Sequence, residues 1–200
     1  MKKVLKVFFI FLAAVAAIYF ILVIIRMFHF YSLDKTNEQV VKIHNTKLTM
    51  DDVTGKNLPP DPGAEADKTV VGIDANKNGI RDDVELAIFK EYPNSAKTRA
   101  VLLQYALALQ MEAIQPVVNK ETVIAAIQEE DRAYLCVGEI LSRSDMEKYN
   151  GESEKLRLFV EKEQLNTIVR KKVRTDFYEK IGSYNSLPRV CDIDYLLLPN

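Results

Sequence analysis

Ser95-Ala-Lys-Thr-Arg-Ala-Val-Leu-Leu-Gln-Tyr-Ala-Leu-Ala-Leu-Gln-Met-Glu-Ala-Ile-Gln-Pro116 is the stretch on which the fold turns. Asn94 or Ser95 can cap a helix here, because a short polar side chain accepts from the free amides of a first turn. Val101, Leu102, Tyr105, Leu109 and Ala113 then share one stripe at helical spacing, and Pro116 ends the run. Working outward, Asn119 caps a second helix, with Thr122 in place of the Glu or Gln of a capping box and Glu121 in the first turn. That helix carries Ile124, Ile127, Tyr134, Leu135 and Leu141. A third is expected from Ser153 to Ile181, with Leu165, Val169, Val173, Phe177 and Ile181 four apart and Gly182 as its stop. No strand-like alternation of comparable length and no repeat competes. With one more helix after residue 82, the expectation is an all-α body of about four helices.

The N-terminus has another texture. Lys2, Lys3 and Lys6 precede Val7–Ile25, nineteen residues without a charge, and Arg26 closes the run. As a helix it spans roughly 28 Å, the hydrocarbon thickness of a bilayer. Ala14-Val15-Ala16 resembles a signal-peptide cleavage site, but Ile18–Ile25 prolongs the apolar run well beyond it. An uncleaved signal-anchor is the favoured reading, inserted through residues 4–25, with Tyr19, Phe28, Phe30 and Tyr31 as interfacial aromatics. The three leading lysines place the remainder outside the cytoplasm, in a single-pass protein of the inner (cytoplasmic) membrane. Residues 1–26 form this anchor, and 27–67 are expected to be a tether, stiffened by Pro59, Pro60 and Pro62. Residues 68–200 make the folded domain.

Composition narrows the function. The chain holds 27 basic and 28 acidic residues; without the four basic residues of 1–26, 23 basic remain against 28 acidic. An acidic body suits neither nucleic acid nor an anionic surface. Two His, two Cys and no Trp exclude zinc-finger, iron–sulfur and Cys-rich scaffolds.

One motif carries specific chemistry. Residues 74–85 read Asp-Ala-Asn-Lys-Asn-Gly-Ile-Arg-Asp-Asp-Val-Glu and satisfy D-x-[DN]-x-[DN]-G-x5-E throughout. Ca2+ takes six to eight oxygens, so alternate residues of a tight loop must point inward. Asp74, Asn76 and Asn78 supply the first oxygens, Ile80 its backbone carbonyl, Asp82 a direct or water-borne contact, and Glu85 a bidentate carboxylate. Gly79 makes the sharp turn. Arg81 is expected to point away from the ion, so that Arg81→Gln leaves binding intact. These twelve residues resemble the EF-hand loop, in particular the variant of dockerins and thrombospondin type-3 repeats, which lacks a full entering helix. The resemblance implies a calcium site and no whole fold. Arg81 stands where paired EF-hands place an aliphatic residue, and no second loop exists, which implies a structural ion. The wider arrangement of anchor, spacer, loop and helices is similar to that of bacterial membrane-anchored proteins of no assigned activity.

Cys136 and Cys191 are either a disulfide or two buried thiols; an even count in an exported domain favours the bond. His29 falls at the membrane boundary and His44 in the expected tether, so no His-dependent catalytic centre is expected in the body, and no phosphate-binding Gly pattern is present. The reading is therefore a non-enzymatic, membrane-anchored, calcium-binding module of the periplasm or envelope, with a protein partner still to be identified. The alternatives are a carboxylate-dependent enzyme on a cell-wall or glycan substrate, built from residues such as Glu129, Glu130, Asp131, Glu139, Glu161 and Glu163, and an inhibitor or immunity-type partner of another envelope protein. Asp131 is expected to be partly buried and paired with Arg132 or an arginine of a neighbouring helix.

Overall fold

The computed structural model describes residues 2–117 and 119–199; Met1, Val118 and Asn200 lie outside it. Among the described residues every regular element is helical. The chain divides into two compact units, residues 1–39 and 40–200.

The first unit is the bulk of one helix, α1 (Lys2–Asn45). Among the described residues it is the one helix long and apolar enough to cross a membrane, and none of its apolar window is buried by protein. Val7–Ile25 expose their side chains all round, as a helix facing lipid does.

The expected tether over 27–67 is not what the chain forms. No Gly or Pro occurs before Gly55, so a helix once nucleated has nothing to stop it, and α1 runs on to Asn45. From Val40 onward the chain belongs to the second unit, where Ile43, Leu48, Val53 and Ala66 are buried. Thr49 caps the short α2 (Met50–Thr54) in a capping box with Asp52, and Gly55 ends it at φ +76°, where another residue is strained. The prolines at 59, 60 and 62 lead into a single 3-10 turn, Gly63–Asp67, packed on the body.

The body is built around α4 (Ala96–Ile114), capped by Ser95 as its sequence predicts. Residues Arg99–Glu112 are all buried, because α4 meets α2, α3 (Asp82–Glu91), α5 (Lys120–Glu139), α6 (Met146–Gln164) and α7 (Ile168–Tyr178) on different sides. A helix apolar on every face has to be central, and the single stripe read from sequence understates that. Asn119 and Thr122 form the predicted reciprocal cap of α5. The buried face of α5 mixes charge with apolar residues: Glu129, Glu130 and Arg132 lie among Val123, Ala125, Ala126, Ile127, Ala133, Cys136 and Val137. Tyr134 and Leu135, expected inward, are exposed.

The expected single helix over 153–181 is two. Asp145 caps α6, which begins at Met146, seven residues before Ser153, and runs through Asn150 and Gly151 without a break. The break falls at Leu165–Thr167, where Thr167 accepts from the Arg170 amide and starts α7. Four buried arginines hold the connections. Arg81 donates to the Gln164 carbonyl (2.9 Å) at the end of α6. Arg99 holds the carbonyls of Val53, Tyr92 and Pro93. Arg170 holds those of Ala66, Thr69 and Val70. Arg132 holds Arg189 and Val190. Each guanidinium satisfies backbone carbonyls at a helix end or in a connecting segment.

The C-terminal tail is fastened the same way. Cys136 on α5 is joined to Cys191 by a disulfide, with the Cα atoms 5.2 Å apart. Gln104 of α4 donates to the Val190 carbonyl (2.9 Å) and accepts from the Asp192 amide (2.8 Å). Arg189–Asp192 is thereby clamped across α4 and α5.

A second buried set spans four helices. Arg174 of α7 donates to Glu130 (2.7 Å), which also accepts from the Tyr178 hydroxyl, and Tyr105 donates to Glu161 (2.6 Å). Glu112 lies 3.7 Å from Arg174, too far for a hydrogen bond, and both its oxygens are buried without a partner among the described residues. Burial, with the Glu130 charge added, pushes the Glu112 carboxyl up to about 9. A carboxyl whose folded-state pKa is raised binds its proton more tightly folded than unfolded. It therefore subtracts stability as pH climbs from about 4.5 to about 9. Glu112→Gln, neutral at every pH, is expected to add about 1–3 kcal/mol at pH 7 and to flatten that decline. Thermal melts between pH 5 and 9 check this; parallel pH profiles for the two proteins would contradict it.

Candidate functional sites

The loop between the 3-10 turn and α3 closes on itself. The Asp82 amide donates to the Ile73 carbonyl (2.9 Å). Asp74 accepts from the amides of Asn78 (3.2 Å) and Gly79 (2.9 Å) through its two oxygens. Asn78 Oδ1 accepts from the Ile80 amide (2.9 Å), and Asp82 accepts from the Ala75 amide (3.0 Å). Gly79 sits at φ +87°, and a Cβ there would lie 2.7 Å from Leu107 Cδ1, so conformation and space both demand glycine. Lys77, exposed at the outer edge, also has positive φ (60°).

The acidic residues of the loop face inward. Asp82 and Glu85 are fully buried. Glu85 Oε2 accepts from the amide groups of Asn76 (3.0 Å) and Asn78 (3.1 Å). Its Oε1 is buried and has no partner among the described residues. Burial pushes the Glu85 carboxyl up to about 7; the Asn76 and Asn78 bonds offset this in part, and Asp52 and Asp82 add to it. Burial raises the Asp82 carboxyl as well, against the Ala75 amide bond and with Asp74 and Asp83 reinforcing it. Ile80 buries its side chain in the core. Asp74, Asn76, Asn78 and Glu85 thus form one bonded set, and Asp82 closes the loop through the Ala75 amide and the Ile73 carbonyl. Among the described residues no three His, Cys, Asp or Glu side chains group as metal ligands.

Sequence reasoning missed a neighbour of this set. Asp52, buried on α2, faces Asn78 Nδ2 with Oδ1 (3.4 Å), and the Asn57 carbonyl accepts from Asn76 Nδ2 (3.0 Å). Reading 27–67 as a tether hid both, although the Thr49–Asp52 capping pattern was visible.

Arg81 differs from expectation in one respect. Its side chain points away from the loop, to Asp83 and Gln164, but it is completely buried. Arg81→Gln is therefore a destabilising change and no neutral control. Lys77→Asn, which tolerates the left-handed backbone, takes its place.

His44 also changes position. It lies in the body, where Nδ1 meets Glu129 Oε1 at 2.8 Å. Glu129 accepts from Lys47 (2.6 Å) and from Arg132 Nε (3.0 Å) and Nη2 (2.8 Å). Arg132 also donates to Asp192, and Asp192 accepts from the Leu48 amide (3.1 Å). Burial acts to raise the Glu129 carboxyl, but the bonds from His44, Lys47 and Arg132 outweigh it and hold it below the usual range. The body thus does contain a histidine, against the expectation from sequence. Asp131 has no ion pair with Arg132, whose guanidinium serves Glu129 and Asp192, and its Oδ2 is buried without a partner among the described residues.

No protein-family model matches the chain, and neither a curated protein nor a solved structure is detectably similar to it. The functional reading therefore rests on these sites alone.

Proposed function

We propose that this chain is a single-pass membrane protein whose extracytoplasmic body binds one Ca2+ in the 74–85 loop and serves as a binding or envelope-associated structural module. The observation that carries the calcium reading is Glu85: a fully buried carboxylate with one oxygen unpartnered, facing two Asn amides within a loop of EF-hand spacing. A buried carboxylate without a cation is costly, and a divalent ion is the counter-charge this donor set suits. Asp74, Asn76, Asn78, Asp82 and Glu85, with the Ile80 carbonyl, would hold the ion, and Asp52 adds charge beside them. The ion's chemistry there is electrostatic: it neutralises the acidic cluster and fixes the junction between the 40–67 segment and α3.

With three formal negative charges among the proposed ligands, on Asp74, Asp82 and Glu85, and no partner loop, affinity on the order of 10⁻⁵ to 10⁻³ M is expected, in the range of extracytoplasmic modules. Calorimetric titration of the full chain in neutral detergent with CaCl2 tests the site. One ion per chain, lost in Glu85→Gln and kept in Lys77→Asn, is the expected result. No heat for the unchanged protein would overturn the reading.

The anchor reading is supported by an apolar run that outlasts the Ala14–Ala16 cleavage pattern, and the outward body by Lys2, Lys3 and Lys6. A Cys136–Cys191 bond fits an oxidising compartment. Protein from native membranes is expected to stay in the membrane fraction with residue 1 retained, and to be cleaved by protease added from the periplasmic side. A mature mass beginning near Ala17 would contradict the anchor. Cleavage from the cytoplasmic side alone would reverse the orientation.

A further inference from the structure

The body holds a second feature of the kind that recognises ligands, remote in sequence from the calcium loop. A cavity of about 270 Å³ is lined by His44, Lys47, Glu129, Arg132, Arg189 and Asp192, with Leu187 and Pro188 completing its wall. Three permanent cations face two carboxylates, with His44 beside them. The decisive point is which bonding capacity is already used. Glu129 Oε1 is taken by His44, and Oε2 by Lys47 and Arg132. Asp192 Oδ1 is taken by Arg132 and Oδ2 by the Leu48 amide. The acids of the cavity are thus committed to the protein.

Donors remain. Lys47 makes one hydrogen bond, to Glu129, and stands 3.7 Å from Asp192, so two of its three N–H groups are unused. Arg189 spends Nε and Nη2 on the carbonyls of Cys191 and Asp192, leaving the two N–H groups of Nη1. A wall whose carboxylate oxygens all accept already, and whose cations keep N–H groups unused, selects a ligand that accepts, namely an anion. Four unused N–H groups on two cations suit the three terminal oxygens of a phosphate monoester better than the two of a carboxylate. The volume lies just below the range of drug-sized sites and leaves room beside Leu187 and Pro188 for only a short apolar portion. The mouth is also preorganised: the Cys136–Cys191 bond and the Gln104 pair hold the tail that carries Arg189.

We propose that this cavity is a binding site for the terminal phosphate of a small monoester, gripped by Lys47 and Arg189, with His44, Glu129 and Arg132 positioning the grip. The same headgroup chemistry occurs on soluble phosphate esters and on phosphatidic acid, so both are tested.

The full chain in neutral detergent is titrated with inorganic phosphate and with glycerol phosphate, following the His44 ring signals by NMR and the heat by calorimetry. In parallel, the chain in neutral phospholipid vesicles is compared with vesicles containing phosphatidic acid. Saturable binding of phosphate, at least fivefold tighter than acetate, is expected. Arg189→Gln, an exposed change at the mouth of the cavity, weakens it about tenfold; His44→Gln weakens it as well. Tighter glycerol phosphate binding assigns the site to a soluble ester, and a His44 shift confined to phosphatidic acid vesicles assigns it to the lipid. Acetate binding as well as phosphate, an unchanged affinity in Arg189→Gln, or no perturbation of His44 by any of the four probes overturns the proposal.

Discussion

Arg132→Met is expected to lower the thermal midpoint of the body by roughly 6–20 °C. Arg132 is almost fully buried and serves two buried carboxylates, Glu129 and Asp192, together with the Arg189 and Val190 carbonyls. Methionine fills much of the space but leaves Glu129 to His44 and Lys47 alone and frees the tail. Removing one partner of a buried ion pair costs about 3–5 kcal/mol. For a domain of this size each kcal/mol moves the midpoint about 2–4 °C. Arg143→Met, which breaks the exposed pair with Glu139, is the comparison and should cost under about 1 kcal/mol. Equal, small shifts in the two variants would show that the buried network contributes no more than a surface ion pair.

Replacing both cysteines by alanine is expected to cost about 4 kcal/mol. The bond closes a loop of 55 positions, and loop-closure entropy removed from the unfolded chain gives that magnitude. The effect extends beyond the unfolded state, because Asp192 and Arg189 belong to the network around Glu129. The double variant should therefore also loosen the His44–Glu129 cavity, seen as broadened His44 ring signals. Two reactive thiols per chain in denatured, unreduced protein from native membranes, or melts indifferent to reductant, would contradict this.

How far the sequence carries the fold can be traced residue by residue. Ser95, Asn119 and Thr122 announced their helix starts, because caps are local and a polar side chain bonds an amide two or three positions away. The calcium-type loop was legible for the same reason: its spacing is a property of twelve consecutive residues. What escaped was long-range. Arg81, Arg99, Arg132 and Arg170 carry no local signal of burial, because their roles depend on carbonyls up to 104 positions distant. The face of α5 that packs inward carries Glu129 and Arg132, so a rule that follows large apolar residues selected Tyr134 and Leu135 on the outside. His44 falls in the expected tether because polar residues surround Val40, Val41 and Ile43, yet Ile43 is fully buried and Val40 packs against the same core.

The central claim is that Glu85 is buried without a counter-ion because Ca2+ belongs beside it. Thermal unfolding of the full chain in neutral detergent, from calcium-free buffer to about 10 mM CaCl2, tests it most directly. Mass action at the expected affinity gives a gain of about 1.4–4 kcal/mol, a rise of several degrees in the unchanged protein and in Lys77→Asn, and none in Glu85→Gln. A midpoint that ignores calcium, or an equal rise in Glu85→Gln, would contradict the account.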